Sequence, residues 1–291
     1  HVPTVKGKEA TDKLALKKLM AKHPIPFFRL LLQHREKGKL YGTYCQMKID
    51  DDEKLRFSIN IAGTVEARFS SKQTPWGTGC NIQNIPKNFR HIVLPSSPDN
   101  VILNVDFKQA DPHMVAWMAG ETKMLEIMDS GGDLHAYTAS AIVGYDITKK
   151  KGYDKDTSME RKLGKACNNG LNYGMGAERF MNMVFKDMNM VLTKDEAYQA
   201  ISAYFNLYPG IKQWHKITEA NVYKTRMLHT PLGRTRYFYG PLTYQLVQAA
   251  LAYVPPSTVA DALNIGWLRF IDSSKNLRVT SLLQCHDSLT F

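Results

Sequence analysis

Two acidic residues sit in apolar, strand-like surroundings: Asp106 in VDFKQADPH (105–113) and Asp287 in SLLQCHDSLTF (281–291). Asp111 follows Asp106 within the first segment. Carboxylates at strand ends suit Mg²⁺, which takes oxygen ligands and keeps several waters. Two such acids meeting across a sheet could clamp two ions roughly 4 Å apart, an arrangement made for phosphoryl transfer. The same residues also suit plain structural work. Asp111 before Pro112 reads as a helix N-cap, and His286–Asp287 reads as a hairpin tip. The residue types alone leave both readings open.

A second constellation lies in ERKLGKACNNGLNYG, where Arg161, Lys165, Asn169 and Tyr173 recur at four-residue steps. On a helix these form one slowly spiralling stripe. Two cations, an amide and an aromatic ring could grip a triphosphate at one end and a base at the other; a solvated basic face is the alternative. A third lies in ARFSSKQTPWGTGCNIQNIPKNFR, whose Arg68, Gln83, Asn84 and Arg90 supply donors along a loop. Such donors can bond minor-groove acceptors that every base pair shares. An ordinary surface loop would look similar. The cluster Asp50, Asp51, Asp52 and Glu53 reads as a solvated turn rather than a metal site.

The totals narrow the partner. Among 291 residues, 38 Lys+Arg stand against 27 Asp+Glu, a net charge of +11. That excess favours polyanions, nucleic acid first and anionic membrane second. No apolar run approaches membrane-spanning length, and no signal peptide opens the chain. Cys45, Cys80, Cys167 and Cys285 lie far apart with no C-x-x-C pair, which fits reduced thiols in an intracellular, cytoplasmic protein.

The elements that must carry these residues follow from periodicity. Residues 9–47 predict two helices separated at Pro24 and Pro26. Residues 44–63 predict two strands around the acidic turn. NVILNVDF predicts a strand ending at Asp106, and a helix runs from Met114 to Gly131–Gly132. Asp133 caps the next helix. Thr157–Ser158–Met159–Glu160 predicts a capping box opening a helix through Tyr173. Helix over 194–227, a hairpin within HTPLGRTRYFYG, helices on either side of Pro255–Pro256 and a final strand complete the chain. Without a βαβ rhythm, the class is α+β.

The order RFSS…NIQNIP, VDFKQAD, R…K…YG and HDSLTF resembles the family A DNA polymerases, over essentially the whole chain. The resemblance implies a right-hand fold: an antiparallel palm sheet, helical fingers, and a thumb largely missing. Residues 1–62 would be thumb base and lead-in, 63–130 and 241–291 the two parts of the palm, and 131–240 the fingers. It implies a template-directed DNA polymerase in replication or repair, with two Mg²⁺ held by Asp106 and Asp287. Arg161, Lys165 and His135 would bind the incoming triphosphate, with Lys165 donating a proton to pyrophosphate. Gln109, Asp111, Asn169 and Tyr173 would surround the nucleotide. Arg68, Gln83, Asn84 and Arg90 would touch primer–template DNA, and His286 the primer end.

A single-subunit RNA polymerase shares this chemistry, but Asp111 at the sugar-gate position argues against it. A non-catalytic nucleic-acid-binding module would have no need of the acids. A phage, viral or organellar replicase fits the pattern as well as a bacterial one. Helicase and processivity partners leave no readable signal.

The departures matter. The family usually carries Glu at 111, an aromatic at 169, Arg at 113, Glu at 288, Arg at 248 and Gln at 256. Here those positions hold Asp111, Asn169, His113, Ser288, Gln248 and Pro256. The changes imply altered sugar selection and fewer minor-groove contacts. The chain leaves no room for an exonuclease domain, and its last hairpin is expected to be cut within one arm, as in a fragment.

Overall fold

The computed structural model describes residues 4–5 and 8–291. The chain divides into two compact units, one of residues up to 63 together with 69–102, the other of 64–68 together with 103–291.

In the first unit, β1 (Thr4–Val5) pairs antiparallel with β2 (Lys8–Glu9). The helices α1 (Lys13–Lys22) and α2 (Pro26–Leu40) fall where the two prolines separate them. Asp12 caps α1 by accepting from the Ala15 N–H at 2.9 Å, and Pro26 takes the first position of α2, where no N–H is needed. A small core of Tyr44, Cys80 and Ile85 holds the following loops. The strands expected around the acidic turn do not pair with each other. The turn itself forms, and Arg56 grips Asp50 at 2.6 Å and Asp52 at 2.7 Å across it. The strand after it, β3 (Ser58–Asn60), pairs instead with β4 (Ser70–Lys72).

The second unit begins its regular structure with β5 (Asn104–Asp106) and runs through α3 (Ala110–Ala119), α4 (Thr122–Asp129), α5 (Leu134–Val143) and α6 (Met159–Leu171). It continues with α7 (Ala177–Met188), α8 (Lys194–Leu207), α9 (Pro209–Thr225), the hairpin β6 (Met227–His229) and β7 (Thr235–Tyr237), then α10 (Tyr244–Leu251) and α11 (Val254–Ser273). Strands β8 (Leu283–Cys285) and β9 (Ser288–Thr290) return to β5, giving an antiparallel sheet of order β5-β9-β8. The α+β expectation holds. The core of this unit is helical, around Val115, Met124, Leu134, Leu171, Phe180 and Tyr204.

Several boundaries differ from the sequence reading. Pro255 and Pro256 lie inside the first turn of α11 rather than between two helices. The helix expected from Met114 onward starts earlier, at Ala110, and stops at Gly120 in the left-handed conformation; α4 follows separately. The helix expected over 194–227 breaks at Tyr208, because Pro209 disfavours a helical residue before it. Glu121 then accepts from the Gly210 N–H at 2.9 Å, satisfying an open donor at the start of α9. The capping box does not form at α6. Ser158 caps it by accepting from the Arg161 N–H at 3.2 Å, but the reciprocal position is Arg161, not an acid. Glu160 pairs with Lys150 at 2.5 Å instead.

Candidate active site

The sheet brings the two acids together. Asn104, Val105 and Asp106 pair with Thr290, Leu289 and Ser288, and the ladder is extended at both ends. The Leu103 N–H donates to the Phe291 carbonyl at 3.0 Å, and the Phe107 N–H donates to the Asp287 carbonyl, also at 3.0 Å. His286 and Asp287 form the two-residue turn between β8 and β9, with His286 left-handed at φ 56°. The hairpin-tip reading of these residues is therefore correct, and so is their approach to Asp106. Both arms of the hairpin pair, from Leu283 opposite Thr290 to Cys285 opposite Ser288.

Asp106 and His286 are exposed, and Asp287 is half-buried. Two accessible carboxylates on neighbouring strand ends give the hard oxygen donors that Mg²⁺ prefers. Among the described residues no group of three His, Cys, Asp or Glu converges to hold a metal. The pair fits an ion that keeps waters and takes further oxygens from a bound ligand.

Just past Asp106 the chain turns sharply. Gln109 adopts φ 55° and caps α3 from the left-handed region, so the expected cap at Asp111 is corrected. Asp111 lies in the first turn of the helix, where the open N–H groups favour an anion. Arg68 reaches it from its own segment of the chain, with Nη2 3.1 Å from the carboxylate. The Tyr173 hydroxyl is buried and has no hydrogen-bond partner. Burial first, and then the nearby Asp111 charge, push this phenol far above its ordinary range. His113 steadies the turn. Its Nδ1 lies 3.1 Å from the Gln109 carbonyl and its Nε2 lies 3.3 Å from Asp129.

Helix α6 presents the cationic stripe. Lys165 and Asn169 are exposed, and Arg161 is half-buried. Tyr173 lies beyond the last helical residue, in a turn closed by its own N–H bond to the Gly170 carbonyl at 3.2 Å. The next residue, Gly174, has its carbonyl fixed by the Tyr244 hydroxyl at 2.6 Å and by Gln248 at 2.8 Å. Gln248 thus works inside this unit.

Helix α5 packs tightly on α6. A Cβ at Gly164 would lie 2.1 Å from the His135 carbonyl oxygen, so only glycine permits this approach. The contact sets two partnerships that the sequence reading missed. Arg161 donates its Nε to Asp133 at 2.6 Å. Asp133 also caps α5, as expected, accepting from the N–H groups of His135 at 3.0 Å and Ala136 at 3.1 Å. Burial works against the Asp133 charge, but the Arg161 and backbone bonds outweigh it and the carboxyl lies below its usual range.

The second partnership is Asn168 with His135. The Asn168 amide donates to His135 Nδ1 at 3.0 Å, while its carbonyl accepts from the Thr138 hydroxyl at 3.1 Å. Burial, helped by the Arg161 charge, lowers the His135 pKa to about 4. The ring is therefore neutral, with Nδ1 accepting and the proton on Nε2. The available signal was Asn168 itself, a polar residue on the buried stripe of Gly164 and Leu171.

The loop donors divide. In the first unit, Asn84 and Arg90 are exposed. Gln83 is buried and donates its amide to the Phe69 carbonyl at 3.1 Å. Arg68, in the second unit, is committed to Asp111.

Comparison with known proteins follows the same lines. Residues 2–291 match the family model described as DNA polymerase family A. The DNA polymerase I of Helicobacter pylori (strain ATCC 700392 / 26695) is 30% identical over 297 residues, covering 97% of this chain and 31% of that protein. The thermostable DNA polymerase I of Thermus thermophilus is 27% identical over 299 residues, covering 97% of this chain and 34% of that protein. The chain thus spans about a third of the length of these relatives. Among solved structures, the POL domain of Pol1 from M. smegmatis, in complex with DNA primer-template and dNTP, superposes with a TM-score of 0.86 at 24% identity. That match covers 100% of this chain and 51% of the other. Among the described residues no helix is long and apolar enough to cross a membrane.

Proposed function

The chain belongs to the family A DNA polymerases, and on that premise we propose that it carries the nucleotidyl-transfer centre of a template-directed DNA polymerase, adding dNTPs to a primer 3′-OH in replication or repair. The observation that carries this reading is the juxtaposition of Asp106 and Asp287 at adjoining strand ends.

Family A polymerases are generally dependent on divalent metal, and the two carboxylates suit Mg²⁺. Bound there, two Mg²⁺ ions would lower the pKa of the primer hydroxyl and neutralise the charge developing on the triphosphate. The protein's own groups do the rest. Arg161, held in orientation by Asp133, turns its remaining N–H groups toward the phosphates. His135, neutral and held by Asn168, offers Nε2–H as a further donor. Lys165, exposed on the same helix, donates a proton to the departing pyrophosphate. Gln109, Asp111, Asn169 and Tyr173 border the sugar and base, and His286 faces the primer end. Arg68 is a positioning residue, because its charge is spent on Asp111. Asn84 and Arg90 are available to the primer–template, whereas Gln83 acts by shaping the loop.

We assign 63–130 and 241–291 to the palm, 131–240 to the fingers and 1–62 to the lead-in from the thumb, in a protein working in the cytoplasm. Primer extension tests the central claim. Template-directed incorporation is expected from the wild type and lost in Asp106→Ala and in Asp287→Ala, with the fold unchanged by circular dichroism. Incorporation that survives both substitutions refutes the assignment.

A further inference from the structure

Between Glu219 and Asp261 the chain carries no carboxylate, yet it holds Lys224, Arg226, Arg234 and Arg236. The hairpin β6–β7 lies in this stretch. Its inner face is sealed: Leu228 and Phe238 are buried against Val222, Ala250 and Tyr253. Arg236 lies over the Phe238 and Tyr253 rings, 4.7 Å and 5.4 Å from their centroids. Strand alternation then throws Tyr237 and Tyr239 outward on either side of Phe238. Tyr237 is 56% exposed and Tyr239 is 85% exposed. Their rings stack on each other, with centroids 6.2 Å apart and 20° between planes.

Burial does not explain these rings. A pre-stacked aromatic pair is the chemistry that receives unpaired nucleobases, here in a stretch whose Arg234 is paired with Asp261 at 2.6 Å and whose Lys224 and Arg226 keep their positive charge. Aromatic faces stack bases without regard to sequence, and nearby cations follow the phosphates. The segment behind Tyr239 is braced. Arg226 donates to the Gly240 carbonyl at 2.8 Å, and the Phe238 N–H donates to the Arg226 carbonyl at 2.8 Å. From there the chain runs directly into Tyr244, whose hydroxyl holds the Gly174 carbonyl beside Tyr173. The hairpin is therefore tied to the end of α6 where the base of the incoming pair is assigned.

We propose that Tyr237 and Tyr239 form a stacking platform for unpaired template bases beyond the nascent pair. The platform rests on the polymerase reading, and it adds a single-strand contact to it. Stacking on one aromatic ring is commonly strong enough that each tyrosine accounts for about a tenfold gain in affinity.

The test is fluorescence anisotropy of the protein on a labelled primer–template carrying a single-stranded template overhang, against the same duplex made blunt. Wild type is expected to prefer the overhang. Tyr237→Ala and Tyr239→Ala should each lose about tenfold on the overhang and nothing on the blunt duplex. Tyr237→Phe and Tyr239→Phe should keep wild-type binding, because the ring and not the hydroxyl is used. The alanine losses should also persist at raised salt, which weakens phosphate contacts but not stacking. Equal wild-type affinity for both duplexes overturns the proposal, as does an equal loss on both by the alanine variants. Nucleotide incorporation by the wild type, measured in parallel, reports on the polymerase reading separately.

Discussion

Asp106 pairs directly with Ser288, one residue away from the turn that carries Asp287. This register, more than either carboxylate alone, makes the site. Ser288 is buried, and its hydroxyl donates to the Cys285 carbonyl at 2.9 Å, closing the hairpin from inside. The departure from the family's usual Glu is thus a local structural choice. Ser288→Ala should lower stability by about 1 kcal/mol, the ordinary worth of one hydrogen bond. Ser288→Glu should cost more, because it places a carboxylate in a buried position without a partner. Urea unfolding of the three proteins checks the order. A Ser288→Glu variant as stable as wild type would show that the side chain can leave the interior.

The His135 pair makes stability depend on pH in a definite direction. The ring titrates at about 4 in the folded protein, against an ordinary value of 6.5. Between those values the unfolded chain binds the proton and the folded one does not. Stability therefore falls as pH drops from 6.5 toward 4, by about 3 kcal/mol if the full shift is expressed. Asp133, whose carboxyl is depressed, acts in the same sense: its contribution is lost as pH falls through its folded value. His135→Gln should flatten the profile between 4 and 6.5 while leaving the Asp133 contribution in place. Unfolding midpoints measured across this range decide it, and an unchanged slope in His135→Gln would count against the buried neutral ring.

Gly164 should tolerate no side chain. The Cβ of Gly164→Ala would meet the His135 carbonyl at 2.1 Å and the Ala139 N at 2.9 Å, both backbone atoms that cannot swing aside. Helices α5 and α6 would have to separate, at a cost of roughly 1–3 kcal/mol or more. The Arg161–Asp133 and Asn168–His135 bonds cross the same contact, so the KM for dNTP should rise alongside the loss in melting temperature. A variant that melts normally and binds dNTP normally would rule out the close approach.

Residues with short-range or chemical signatures were legible in the sequence. Asp106, Asp287 and the cationic stripe stood out by residue type and period, each beside an open structural reading, and Asp133 stood out by its place before a helix. What could not be read was pairing over distance. Nothing local says that Arg56 will bridge Asp50 and Asp52 while the strand after it pairs beyond Arg68. The partners of Arg161 and His135 come from a different helix, fixed only once Gly164 lets the two helices meet. Gln83 looked like a free donor because composition cannot reveal that its amide is already used at Phe69. Glu160 sat one position too early for a capping box, a slip of a single residue that sends its carboxylate to Lys150.

Tyr173 and Asp111 give the most direct test of sugar selection. The carboxylate bonds Arg68 at 3.1 Å, while the buried Tyr173 hydroxyl has no partner at all. Deleting a buried hydroxyl that bonds nothing removes a desolvation penalty, so Tyr173→Phe should leave stability unchanged or raise it by up to about 1 kcal/mol. Asp111→Glu lengthens the acid by one methylene toward that hydroxyl, and the bond then available should make Tyr173→Phe destabilising in the Glu background. The sign change between the two backgrounds is the double-mutant signature of a new contact. The same substitution should tighten the space around the sugar. In single-nucleotide insertion, Asp111→Glu with Asn169→Phe should discriminate more strongly than wild type against ribonucleotides, by about tenfold or more for an added apolar and steric contact. Equal discrimination by the two proteins would mean that Asp111 and Asn169 do not border the sugar, whatever the family pattern implies.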